Sequence, residues 1–436
     1  MPEFLREKTK DDPALGRIAG NIGWQFADHL LRMGVGLVVG IWLARYLGPE
    51  RFGLFSYALS LVAIFTTMAS LGLDDLIVRE VVREPGEKDR ILGTAFLLKL
   101  SGGILAFLLS FGAVAILRPG EMESLWLVGI IAAGGLFQSL NVIEFWFHAQ
   151  VQAKYVALTR CCAFLFCSLI KVGLILAEAP LVAFAWVALF EVVVGMFGLF
   201  VAYRLRGGKI LDWHARAARA KGLIKDSWPL LLSSMVIMIY LRIDQVMLGE
   251  MAGDAEVGIY SVAVRLAEVW YFIPSALYWS LFPGIVEAKA VDEELFYGRL
   301  QSLYNLVAFS AYAVALPVAL TAHWLVPVLF GEAFARGGPM LAVLVWANIF
   351  MGLEMARSGF LTAMNWTRIY LLAVSLGCVL NVALNWLLIP RYGGMGAVVA
   401  SLAAYWFAAH GSCFIFKPLR RTGGMLTRAL VWPKVW

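Results

Sequence analysis

Long apolar stretches separated by short polar ones set the pattern of this 436-residue chain. A bilayer core about 30 Å thick takes about 20 apolar residues of helix, because lipid gives backbone N–H and C=O groups no partner outside the helix itself. Twelve stretches meet that length, near 18–44, 53–78, 92–117, 125–149, 157–177, 182–203, 229–251, 258–284, 302–322, 339–362, 369–389 and 395–416. The pattern predicts an all-α, polytopic membrane protein of about twelve transmembrane helices.

The longest polar interruption, RLRGGKILDWHARAARAKGLIKDSW, follows the sixth stretch and divides the chain into two sets of six. The predicted organisation is an N-lobe over 1–203, a basic cytoplasmic linker over 204–228, a C-lobe over 229–416 and a basic cytoplasmic tail over 417–436. A short internal repeat agrees with this division. LGPERFGLFSYAL at 47–59 aligns with AGDAEVGIYSVAV at 252–264, with identities at Gly48/Gly253, Gly53/Gly258, Ser56/Ser261 and Ala58/Ala263. Parallel repeats of this kind predict two six-helix lobes around a central cavity.

Composition narrows the function. With 61% hydrophobic and 15% charged residues, against about 25% charged in ordinary soluble domains, the chain cannot cover itself with a polar surface. A soluble enzyme, a disordered chain and a nucleic-acid module are excluded, despite the net charge of +6. The basic excess reads instead as topology, because cytoplasmic loops accumulate Lys and Arg. With the N-terminus inside, 24 of the 36 basic residues fall in inside segments and 5 in outside loops. Both termini are then expected in the cytoplasm, with the tail after Lys417 against anionic inner-leaflet lipid. The first twenty residues mix both charge signs and lack a short apolar core with a cleavage site, so they read as a cytosolic lead-in rather than a signal peptide.

Charge inside the membrane costs at least about 2.5 to 3.5 kcal/mol per group on insertion scales, so each instance needs a partner or a wet cavity. The predicted helices hold Asp28, Arg32, Lys99, Glu144, Arg160, Lys171 and Glu191 in the first half. In the second half they hold Arg242, Asp244, Arg265, Glu268, Glu354 and Arg357. Asp28/Arg32, Arg265/Glu268 and Glu354/Arg357 are three or four residues apart and share helix faces, so each pair is placed to neutralise itself. Arg242 and Asp244, two apart, are not. Lys99, Lys171, Glu144 and Glu191 have no partner on their own helices. Seven basic against six acidic groups is close to balance, so structural pairing between helices competes with a hydrated cavity as the explanation.

Other features take ordinary readings. The five cysteines lie in apolar runs without metal-ligand or disulfide spacing and read as packing residues. Pro274 and Pro317 are expected to kink the eighth and ninth helices. Sugar-recognising amides such as Gln138, Asn141 and Asn381 are indistinguishable from packing groups.

Three segments carry a family resemblance. They are NIGWQFADHLLRMGVGLVVGIWLARYLGPERFGLFSYALSLVAIFTTMASLGLDDLIVRE at 21–80, LFGEAFARGGPML at 329–341 and LNVALNWLLIPRYGGMGAVVASL at 380–402. Together they resemble the Wzx-type polysaccharide or oligosaccharide flippases, the polysaccharide transport family of the multidrug/oligosaccharidyl-lipid/polysaccharide exporter superfamily. The resemblance implies a carrier of the bacterial inner membrane that moves undecaprenyl-diphosphate-linked oligosaccharides from the inner to the outer leaflet by alternating access, with no cofactor. In the similar lipid II flippases basic residues on helices 1 and 8 matter, and here those helices supply Arg32 and Arg265. Lys99 and Arg242 join them as candidate head-group ligands, since neither has a neutralising neighbour on its own helix. Asp28, Glu191, Asp244 and Glu268 are candidates either for charge pairing or for coupling to a proton or sodium ion. Competing readings are a multidrug/cation antiporter of the same superfamily, a lipid II flippase and a membrane glycan polymerase. The last is disfavoured because the longest predicted outer loop, 323–338, offers no paired catalytic carboxylates.

Overall fold

The structure, a computed structural model, describes residues 13–434. Residues 1–12 of the expected lead-in, and the last two residues of the tail, lie outside the described residues. The described chain is helical with no strand. Its helices are α1 (Pro13–Ser70), α2 (Asp74–Arg83), α3 (Lys88–Leu117), α4 (Met122–Phe137), α5 (Val142–Ala149), α6 (Ala153–Leu176), α7 (Leu181–Leu205), α8 (Ala217–Ala252), α9 (Asp254–Glu268) and α10 (Phe272–Val291). They continue with α11 (Glu293–Phe330), α12 (Gly337–Leu344), α13 (Ala347–Ala363), α14 (Thr367–Tyr392), α15 (Gly394–Trp406), α16 (Ser412–Ile415) and α17 (Arg420–Val431).

Among the described residues eleven helical segments are long and apolar enough to cross a bilayer, the first of them running from Phe26 to Arg83. At 58 residues and a rise of about 1.5 Å each, that segment is far longer than one hydrocarbon core. The backbone divides it at Gly48, where φ is 70° and ψ is 173°. Glycine tolerates that conformation, and Pro49 follows at the position where its missing N–H is harmless. Counted as two passes, the segment brings the total to the expected twelve. A second positive-φ turn at Leu71 and Gly72 then leads into α2.

Helix ends depart from the sequence reading in a consistent direction. α8 begins at Ala217 rather than near 229, and α11 spans Glu293–Phe330 rather than 302–322. Hydropathy marks only the part of a helix inside hydrocarbon, whereas the hydrogen-bonded ladder runs on through the head-group layer. The eighth predicted span is broken by a tight turn at Val269–Tyr271. This places the break next to the carbonyl that the ring of Pro274 would strike four residues upstream. No such break accompanies Pro317, around which α11 stays helical.

The chain forms two compact units, one of residues up to Tyr46 plus Ala58–Met235, the other of Leu47–Tyr57 plus everything from Val236. In the first unit the core gathers Leu73, Ile77, Ile91, Val142, Phe147 and Leu199. The stretch 204–228 is not a bare tether. Trp213 packs against Phe96 and donates its indole N–H to the Tyr203 hydroxyl at 3.2 Å. The backbone N–H of Arg216 donates to Thr94, and Arg219 pairs with Glu84. In the second unit the core centres on Phe296, Tyr304, Val307, Leu353, Phe360 and Leu426. Large apolar residues also point outward, Leu176 at 81% and Leu320 at 82% exposure, as they must when the solvent is lipid.

The internal repeat has a structural counterpart within the second unit. Gly253 adopts φ 88° and ψ 167°, close to the backbone of its repeat mate Gly48. Beyond these two turns the helices cross so tightly that a Cβ on Gly53 would lie 1.7 Å from the carbonyl oxygen of Asp254. A Cβ on Gly258 would lie 2.0 Å from that of Pro49. Each glycine thus faces the first helical residue of the other repeat, a reciprocal contact that only missing side chains allow.

Candidate functional site

The intramembrane charges sort by partner. In the first unit Arg32 reaches Asp28 at 3.8 Å and lies over the Phe164 ring at 5.5 Å, while the Cys161 thiol donates to the other Asp28 oxygen at 3.0 Å. Lys99, which has no partner on its own helix, finds one elsewhere. It is buried at 4% exposure and its Nζ donates to Asp74 Oδ1 at 2.6 Å, with the Phe145 ring 4.5 Å away. Its reading as an unpaired cation is corrected on that geometry. Glu191, in α7, accepts from Lys171 of α6 at 2.9 Å, and Glu144 bridges Arg160 and His148. His148 lies one turn from Glu144 on the same helix; Asp74, Lys171 and Arg160 come from neighbouring helices, which own-helix spacing could not reveal.

The second unit departs further from expectation. Glu268 forms no ion pair with Arg265 one turn away; it pairs with Arg242 at 3.3 Å. Arg242 is therefore tied to a carboxylate. Arg265 makes neither an ion pair nor a hydrogen bond among the described residues, and its guanidinium lies 5.6 Å from the centre of the Phe52 ring. It stands eleven residues into α9, about 17 Å of helical rise from Asp254. Glu354 and Arg357 form no ion pair with each other either. Arg357 has no exposure at all, and its guanidinium donates to Ser412, Cys413 and the backbone carbonyl of Ala408. That carbonyl lies in the π-helical turn Phe407–Gly411, where an insertion in the helix leaves acceptors to be satisfied.

Asp244 is the opposite case. At 1% exposure it has only neutral partners: the Tyr260 hydroxyl at 2.9 Å, the Ser401 hydroxyl and the Asn385 amide. Asn385 also donates to Asn381 Oδ1 at 3.1 Å, which leaves Asn385 Oδ1 and Asn381 Nδ2 buried without a partner. Four helices, α8, α9, α14 and α15, meet in this cluster. Asn381 is thus fully buried beside a carboxylate, not displayed for sugar hydroxyls. All three partners donate to the carboxylate, the Asn385 amide through Nδ2, so Asp244 is the one charged ligand of the cluster, which suits a proton or a monovalent cation better than a divalent ion. Among the described residues no three His, Cys, Asp or Glu side chains gather around one point. The sequence held a signal for this cluster in Asn381 and Asn385, one turn apart in the LNVALNWLLIP motif, and in Ser401 at the end of that segment.

Among the described residues the apolar helices, with the first segment counted as two passes, make this a multi-pass membrane protein, and comparison with known proteins agrees. The fold is similar to that of the lipid II flippase MurJ in an inward closed conformation (TM-score 0.74, 15% identity, 94% of this chain and 91% of that one). It is similar also to a multidrug resistance MATE family transporter of the MOP superfamily in its inward-facing conformation (TM-score 0.73, 16% identity, 91% and 96%). The family model described as "Polysaccharide biosynthesis protein" matches residues 18–289, and the chain belongs to that family. Two similar relatives, both from Haloferax volcanii, are a probable flippase AglR and a probable low-salt glycan biosynthesis flippase Agl15. The first is 23% identical over 404 residues, covering 89% of this chain and 81% of the relative; the second is 22% identical over 389 residues, covering 87% and 79%.

Proposed function

We propose that this protein flips a polyprenyl-diphosphate-linked glycan, undecaprenyl-linked in a bacterial host, from the inner to the outer leaflet of the cell membrane by alternating access, with both termini in the cytoplasm. The observation that carries the reading is Arg265, a guanidinium deep along a membrane helix that makes no ion pair and no hydrogen bond among the described residues. Such a group is costly in the apo protein and is relieved by a mobile anion. A diphosphate suits it because the planar donor fork engages two phosphate oxygens at once. Arg32, held loosely by Asp28 at 3.8 Å, is the second proposed ligand. Lys99 and Arg242, each bound to a carboxylate, have supporting places. The flippase names of the relatives favour a lipid-linked glycan over the small cation of a multidrug antiporter.

Asp244 is the proposed coupling group, taking up a proton or sodium ion among its neutral partners. Asp28, Glu191 and Glu268 already hold cationic partners and serve charge pairing.

The test is export of a defined lipid-linked glycan in a flippase-deficient strain. Arg265→Gln is expected to reduce surface display at least tenfold, with membrane insertion unchanged and Arg265→Lys restoring part of it. Full export by Arg265→Gln sinks the diphosphate reading and returns the cation antiporter.

A further inference from the structure

We propose that the second unit holds one anionic phospholipid of the cytoplasmic leaflet in a site between α10 and α11, with Arg299 and Lys434 as its phosphate ligands. Neither residue is among those proposed to meet the cargo, and the leaflet of the site rests on the orientation proposed above. A cavity of about 630 Å³ opens there, with Arg299, Lys434, Ser280 and Ser302 on its polar side and leucines of both helices on its apolar side.

Three local features build it. Asp292 caps the start of α11 by accepting the Leu295 N–H at 2.9 Å, which turns α10 back tightly. Arg299 donates to the carbonyl of Gly284, so its guanidinium spans the gap between the helices. The C-terminal segment then crosses α11. Tyr312 donates to the Leu430 carbonyl and Asn305 to that of Lys434, each at 2.8 Å, and this brings the lysine to the cavity.

Depth and charge name the occupant. The 38 residues of α11 rise about 57 Å, whereas hydrocarbon and head groups together measure about 40–45 Å. With Phe330 at the outer surface, as the proposed orientation has it, Arg299 lies about 46 Å of helical rise away, at the inner edge of the head-group layer. Neither Arg299 nor Lys434 has a carboxylate within ion-pair distance among the described residues. The nearby Arg421, by contrast, pairs with Glu293 and stacks on Tyr297. Two cations without an ion pair among the described residues, with hydroxyl donors beside them, suit phosphate oxygens, and the leucines suit the first methylenes of an acyl chain. A zwitterionic lipid would set its own cation against Lys434. Trp432, 68% exposed two residues earlier, belongs to the residue type that anchors at this level.

The experiment is native mass spectrometry of the full chain released from nanodiscs of equal phosphatidylglycerol and phosphatidylcholine. One phosphatidylglycerol is expected to be retained in preference. Arg299→Gln and Lys434→Gln are each expected to lower that retention about fivefold, and Arg299→Lys to keep most of it. Lys434→Gln, near the chain end, alters no bond that holds the fold. Equal retention of both lipids, or retention unchanged in Lys434→Gln and Arg299→Gln, overturns the site. A Glu294→Cys variant labelled by an impermeant maleimide from the cytoplasm supports the leaflet. Labelling from outside overturns the leaflet together with the orientation, whatever the lipid selectivity.

Discussion

Arg357 shows how much one side chain can organise when burial is complete. Its guanidinium holds two groups of the π-helical turn and its surroundings, Ser412 and the Ala408 carbonyl. Truncation to Ala removes buried hydrogen bonds from a charged donor, worth about 1.5–3 kcal/mol each, and leaves the Ala408 carbonyl with the Ser412 hydroxyl at 3.0 Å. Arg357→Ala is therefore expected to lower the melting temperature of the purified protein by several degrees. Arg357→Lys should rescue little, because a single ammonium cannot replace a planar fork. A melt unchanged in both variants shows the turn to be self-sufficient. Asp244 makes the complementary point. Asn at that position keeps the hydrogen bonds to Tyr260 and Ser401 within reach while removing the charge, so Asp244→Asn should fold normally and lose only what depends on an ion.

Between elements, the decisive feature is the crossing of the two repeat turns. Gly53 and Gly258 each abut a backbone carbonyl at a distance no Cβ can occupy, and a carbonyl cannot swing aside as a side-chain tip can. Gly53→Ala and Gly258→Ala are expected to cost about 1–3 kcal/mol each by overpacking, read as lowered melting temperatures. Gly112, where an added methyl would meet nothing within 4 Å, is the control: Ala there should be neutral or slightly stabilising, since it is the better helix former. Equal effects at all three positions contradict the close crossing. The repeat at 47–59 and 252–264 was visible in the sequence, and so were the twelve passes, because bilayer thickness imposes their length directly. The contact itself was not, since a glycine's freedom says nothing of what fills the space beside it. The same limit governs the charges. Spacing along one helix correctly placed Arg32 with Asp28, but it assigned Glu268 to Arg265 and left Lys99 alone, because partners from other helices have no signature in a local pattern.

For the whole molecule the consequence is energetic. Among the intramembrane groups discussed above, most cations and carboxylates cancel in pairs and move no net charge across the bilayer. Arg265, Asp244, Glu354 and Arg357 form no ion pair among the described residues; Arg357 is held by Ser412 and the Ala408 carbonyl, and Arg265 and Asp244 are the groups proposed to meet an anion and a cation. A diphosphate carries about two negative charges, and moving each outward against an inside-negative potential of 100 mV releases about 2.3 kcal/mol. A cation entering in exchange would add one more charge moving downhill. Export in proteoliposomes should therefore steepen with an imposed potential, and in the unaltered protein it should respond also to a pH or sodium gradient at zero potential. In Asp244→Asn the gradient response should vanish while the dependence on potential persists at a shallower slope, because the cargo still carries its own charge. If that variant keeps the full gradient response, Asp244 is a structural carboxylate and coupling lies elsewhere. If potential has no effect on either protein, the cargo crosses with its charge already neutralised, and Arg265 is not its counter-ion.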